Sequence, residues 1–210
     1  MTDPRKTEIA VVLDRSGSMA RITQEMQTGF AQFVKEQRAQ PGECVLSLYR
    51  FDHAYEVVFE ERPLAKVPPL RLVPRGSTAL LDAVGHSIAR IGDRLSAKPE
   101  HARPGSVVVM IMTDGQENAS VEVSRDVLKA SIQRQEQLYH WQFMYLGADA
   151  SVFSEARSLG IDAVSHYPAS SAGVERVYAR SSHSITEYRS RVSRGEVHAR
   201  IKLSSSPSDE

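Results

Sequence analysis

Residues 8–19 read EIAVVLDRSGSM. The first six, apolar after Glu8 and rich in β-branched residues, have the pattern of a strand covered on both faces of a sheet. The run then breaks into Asp14, Ser16 and Ser18 around Gly17, so small oxygen-bearing side chains stand where the strand ends. A second run, SVVVMIM at 106–112, ends the same way in Thr113, Asp114 and Gly115. These two strands are the natural central pair of an open α/β sheet, with ligand-binding loops at their carboxyl ends.

Working outward, Ile22, Met26, Phe30, Phe33 and Val34 recur at helical spacing, which predicts a helix over 20–40 stopped by Pro41-Gly42. Segments 43–51 and 55–60 read as strands, and the tight Asp52-His53-Ala54 connection favours a hairpin. The proline-rich stretch 62–77 is a loop. Leu80, Leu81, Val84, Ile88, Ile91 and Leu95 then stripe a helix over 78–96. Further helices are predicted at 121–137, at 149–159 with Asp149 as N-cap, and at 171–191. Strands are predicted at 141–146 and, as a short edge, at 163–165. The fold class is therefore α/β, a doubly wound and mostly parallel sheet with helices on both faces and one antiparallel edge strand. One domain spans 1–191, and a C-terminal extension, 192–210, is expected to be disordered at its SSSPSDE end.

The 210 residues are 41% hydrophobic and 25% charged, the composition of a globular domain. Twenty-six basic residues balance 26 acidic ones, which removes the usual electrostatic reason to expect a nucleic-acid partner. The single cysteine, Cys44, rules out an internal disulfide and a cysteine-built metal site. The seven histidines are scattered without metal-ligand spacing. The longest apolar stretch falls far short of the roughly 20 residues that span a bilayer. With no signal-peptide pattern at the start, no membrane is expected and a cytoplasmic location is.

Three polar clusters would converge at the carboxyl edge: Asp14 with Ser16 and Ser18, Thr78 before the second long helix, and Asp114. Two carboxylates and three hydroxyls are hard oxygen ligands, which suit Mg²⁺, Mn²⁺ or Ca²⁺ better than copper or zinc. Each residue also has a plainer reading. Asp14 to Ser18 and Thr78 can cap helices, and Asp114 can close a turn with Gly115. Asp52 and Asp82 read as turn or capping residues rather than ligands.

Taken together these residues resemble the von Willebrand factor A domain and its metal-ion-dependent adhesion site. That family pattern has Asp-x-Ser-x-Ser after the first strand, a Thr in a later loop and an Asp after the fourth strand. Here it is filled by Asp14, Ser16 and Ser18, by Thr78 within GSTALLDA at 76–83, and by Asp114 within TDG. The resemblance spans about residues 7–165. Ser77 departs from the Gly often found there, beside a ligand position and not at one. The resemblance implies a six-stranded sheet and a protein-binding module rather than an enzyme. In such domains Ser16, Ser18 and, depending on state, Thr78 contact Mg²⁺ directly, while Asp14 and Asp114 usually act through water. The sixth position is left for an Asp or Glu of a protein partner. The segments GSTALLDAV and TDGQENAS are similar to those of stand-alone, tellurium-resistance-associated bacterial and phage relatives. This implies work in a multiprotein complex, in a stress-related setting.

The rival reading is a phosphoryl-transfer or hydrolase enzyme on the same metal site. An aspartyl nucleophile at Asp14 would need a second Asp two residues on, where Ser16 stands. No P-loop, GxGxxG or GxSxG pattern is present.

Overall fold

The computed structural model describes residues 2–196 and 198–203. Six strands, β1 (Asp3–Asp14), β2 (Glu43–Phe51), β3 (Tyr55–Pro63), β4 (Pro104–Thr113), β5 (Gln142–Gly147) and β6 (Ala163–His166), form one sheet in the order β3-β2-β1-β4-β5-β6. β3 pairs antiparallel with β2, and every other pairing is parallel. Five helices cover it: α1 (Thr23–Arg38), α2 (Leu80–Ser96), α3 (Arg125–Tyr139), α4 (Val152–Leu159) and α5 (Ser171–Ser193).

The continuous apolar runs are central because both of their faces are covered. Ile9, Val11 and Leu13 of β1, with Val108, Met110 and Met112 of β4, pack under α1 and α5. Ala10 and Val12, with Val107, Val109 and Ile111, pack under α2, α3 and α4. The register Ile9↔Val108 and Ala10↔Val109 keeps the two parities together. α1 and α5 approach closely at Gly29, where a Cβ would lie 2.3 Å from Tyr178 Cδ2. Further along, Gln37 Nε2 donates to the Ser182 carbonyl at 2.9 Å, and Arg189 donates to Gln37 Oε1 at 3.0 Å.

Several boundaries differ from expectation, each for a tertiary reason. The chain after β1 first makes a 3-10 turn, Gly17–Ile22, and only then α1. α3 begins at Arg125 rather than 121, because the Asp82 carboxylate accepts the backbone N–H groups of Val121, Glu122 and Val123 at 2.7–3.0 Å. Those amides, free to start a helix, are instead held across the start of α2, and Ser124 caps α3. α4 begins at Val152, while Asp149 closes a turn by accepting Ser151 N–H. After α5 the chain returns to the domain. Ala199 and Ile201 are buried in the α1/α5 layer, and Ile201 N–H donates to Gln142 Oε1 at 3.0 Å. The expected disorder concerns an end of which 204–210 lie outside the described residues. Among the described residues no helix is long and apolar enough to cross a membrane.

Candidate metal centre

β1 and β4 are neighbours, but the chain leaves β1 toward the α1 face and β4 toward the α3 face. Their carboxyl ends therefore flank a crevice, the ordinary ligand position of a doubly wound sheet. Asp14 is the last residue of β1 and is completely buried. Its Oδ1 accepts Ser16 N–H at 2.6 Å, and its Oδ2 accepts the Thr113 hydroxyl from the end of β4 at 2.6 Å. Ser16 Oγ lies 3.1 Å from Ser18 Oγ, which donates to Asp114 Oδ1 at 2.5 Å. Since Ser18 has one hydroxyl proton, Ser16 must be the donor of the other bond. The five-residue set is completed from the α2 side. A Cβ on Gly115 would lie 3.6 Å from Ser18 Oγ and 3.7 Å from Thr78 Oγ1, so both hydroxyls border the same glycine.

The Thr78 loop is fastened to the β1 loop through its backbone. Gly17 N–H donates to the Gly76 carbonyl at 3.1 Å, and Arg75 N–H to the Arg15 carbonyl at 2.8 Å. Gly76 has φ +69, and a side chain there would run into His53, so this turn requires glycine. Asn118 holds Thr78 from the β4 side, accepting its N–H at 2.9 Å and donating its own to the Thr78 carbonyl at 3.0 Å.

Sequence reasoning missed the supporting residues. Asp52 does make the hairpin turn, accepting Ala54 N–H, but it also receives Arg15 at 2.9 Å and Arg75 at 2.8 Å. Its backbone carbonyl accepts Ala79 N–H, next to Thr78. Burial would raise the Asp52 carboxyl, but the bonds from Arg75, Ala54 and Arg15 outweigh it and hold it below the usual range. Arg15, at the variable position of Asp-x-Ser, is buried and also bonds Glu56 at 2.6 Å. Thr113 shows in the sequence as part of the TDG motif, but its bond to Asp14 does not.

The electrostatics suit a cation. Burial pushes Asp14 up to about 6 in spite of the bonds from Thr113 and Ser16, with the charge of Asp114 adding to the rise. Asp114 Oδ2 is buried and accepts no hydrogen bond, a costly state for a carboxylate oxygen. Among the described residues no three His, Cys, Asp or Glu side chains cluster as ligands, so a cation at this edge needs the hydroxyls as well. The donor set is thus all oxygen, and it fits a divalent ion.

No family model matches the sequence, and no curated protein does. Solved structures do. The von Willebrand factor type A protein from Catenulispora acidiphila is 17% identical with a TM-score of 0.60, over 86% of this chain and 43% of that one. The chain has a von Willebrand factor A fold. Proximal thread matrix protein 1 of the mussel byssus, solved with a zinc-occupied metal-ion-dependent adhesion motif, is 16% identical with a TM-score of 0.59, over 86% of this chain and 46% of that one. The conserved hypothetical protein BatB from Bacteroides thetaiotaomicron is 13% identical with a TM-score of 0.54, over 86% of this chain and 98% of that one. The chain thus spans less than half the length of the first two, and at these identities the likeness concerns the von Willebrand factor A fold alone.

Proposed function

We propose that this chain is a metal-dependent protein-binding module, in which Asp14, Ser16, Ser18, Thr78 and Asp114 hold a divalent cation that accepts an Asp or Glu of a partner protein. The observation that carries this reading is the buried Asp114 Oδ2, which accepts no hydrogen bond and faces only the exposed Arg21 guanidinium at 3.5 Å, beside the chain of hydroxyls from Ser16 through Ser18. A bound Mg²⁺ or Mn²⁺ would supply an electrophile with room for one incoming carboxylate. Each Asp14 oxygen already accepts a protein donor, which supports Asp14 as a support from behind rather than a direct ligand. The same engagement weighs against Asp14 as a nucleophile. Metal geometry reads only a carboxylate, so the loops at 15–21, 74–78 and 115–119 would supply most of the specificity. The resemblance of GSTALLDAV and TDGQENAS extends the proposal to a stress-related complex in the cytoplasm.

Titration of Mg²⁺ and Mn²⁺ into wild type and Asp14→Ala by calorimetry tests the metal half of the reading. Capture of partners by wild type, compared with Asp14→Ala and with chelator present, tests the other. Proteins lost in both controls are the metal-dependent partners. A cation bound equally by Asp14→Ala, or partners indifferent to both controls, would refute it.

A further inference from the structure

We infer that Arg21 competes with the divalent cation for Asp114, so that the protein carries its own displaceable counter-charge at the site. This rests on the metal-binding reading above. Arg21 lies in the 3-10 turn Gly17–Ile22, which also carries Ser18. Its Nη2 stands 3.5 Å from Asp114 Oδ2, on a side chain that is 68% exposed. That Oδ2 is the oxygen that accepts no hydrogen bond, while Oδ1 is taken by Ser18. The guanidinium therefore faces the one carboxylate oxygen of the set that accepts no hydrogen bond.

Three arginines border this edge: Arg75 is paired with Asp52, and the other two are held differently. Arg15 is fixed in the interior by Asp52 and Glu56. The only ion pair described for Arg21 is the one with Asp114, and its exposed stem can swing into solvent at little cost. A guanidinium keeps its charge at every accessible pH, so it neutralises Asp114 without a proton. A cation at the same oxygen would meet both an occupied partner and a like charge. Displacing Arg21 is then part of binding the metal. Linkage makes the effect reciprocal: an acidic group on a partner that draws Arg21 away strengthens cation binding, and a bound cation frees Arg21 to meet that group.

The test is Mn²⁺ titration of the full chain, by calorimetry and by the electron paramagnetic resonance signal of free Mn²⁺, in wild type, Arg21→Gln, Arg21→Ala and Arg21→Lys. Circular dichroism checks that each is folded. Arg21→Gln and Arg21→Ala should bind Mn²⁺ roughly three- to tenfold more tightly than wild type, the size expected from removing a partly screened like charge. Arg21→Lys should stay near wild type, because it keeps the charge, and the gain should shrink at high ionic strength. Unchanged or weaker Mn²⁺ binding in the folded uncharged variants would overturn the inference while leaving the metal site intact. Equal tightening in Arg21→Lys would overturn it too, by showing that charge is not the cause. Absence of Mn²⁺ binding in all four proteins would overturn the metal reading and this inference with it.

Discussion

The Ser18 hydroxyl donates to Asp114 Oδ1 at 2.5 Å, joining the loop after β1 to the loop after β4 across 96 positions of sequence. This one bond brings together two motifs that are each ambiguous alone. Ser18 could be a helix cap and Asp114 a turn residue, but neither role asks them to meet. Their contact puts a hydroxyl and a carboxylate at the reversal of strand order, where a ligand would bind.

Loss of the cation should leave the fold intact. The two apolar layers on the sheet do not depend on the carboxyl edge, whose hydroxyls already bond one another. Chelation should lower the melting temperature by roughly 3–6 °C relative to protein in about tenfold excess of metal over its Kd. An unchanged far-ultraviolet circular dichroism spectrum should accompany the shift. An unfolded chelated protein would contradict the prediction.

Once a partner is captured, its metal-bound Asp or Glu changed to Ala should weaken binding by about 2–5 kcal/mol, as should Ser16→Ala. Combining the two should cost little more than either alone, because both break one bridge. Additive losses in a calorimetric double-mutant cycle would show that no metal joins the two proteins.

Asp82 sets a pH dependence away from the metal. Burial would raise its carboxyl, but the N–H groups of Val121, Val123 and Glu122 outweigh that and hold it below the ordinary value of 3.8. A depressed value means the stabilisation is complete above the unfolded value and is lost as pH falls through the folded one. Asp82→Asn should therefore cost about 1–3 kcal/mol at pH 7. The gap from wild type should close only below pH 3.8, the ordinary value from which Asp82 is lowered. Urea unfolding at several pH values reads this directly. A gap that stays constant down to the lowest pH at which both fold would disprove it.

Gly29 tests the packing of α1 on α5. A methyl group there would sit 2.3 Å from Tyr178 Cδ2 on a buried ring, so Gly29→Ala should destabilise by about 1–3 kcal/mol despite its better helix propensity. Mn²⁺ affinity should not change, since the substitution touches no residue of the metal set. A stabilised Gly29→Ala in urea titration would mean that the helices separate at little cost.

The sheet was readable because both central strands carry a continuous apolar run, residues 9–13 and 107–112, and no amphipathic helix or exposed strand has that pattern. The five oxygen-bearing residues were readable for a related reason: they directly follow those strands or open a helix. The partners that hold them in place were not. Arg15 gives no local sign that it lies buried between Asp52 and Glu56, since that pairing exists only once β2 and β3 lie beside β1. The start of α3 was misplaced for the same reason. Residues 121–123 carry a usable helical pattern, and only the distant Asp82 carboxylate takes their amides. Thr113 was visible, but its bond to Asp14 depends on the parallel register of β1 on β4.

The returning segment after α5 has a practical consequence for handling the protein. Ile201 meets Gln142 at the first residue of β5, and Asp3 begins β1, a strand parallel to the sheet's centre. Asp3 therefore lies at the edge where β1 starts, and the Lys202 carbonyl, accepting the Ser184 hydroxyl at 2.9 Å, keeps the returning segment on α5, whereas Asp14 and Asp114 stand where the strands finish. A bead, a sensor chip or a fluorescent fusion joined ahead of Asp3 would leave the oxygen-lined edge facing outward. Protein immobilised from that side should thus keep the edge open to a partner.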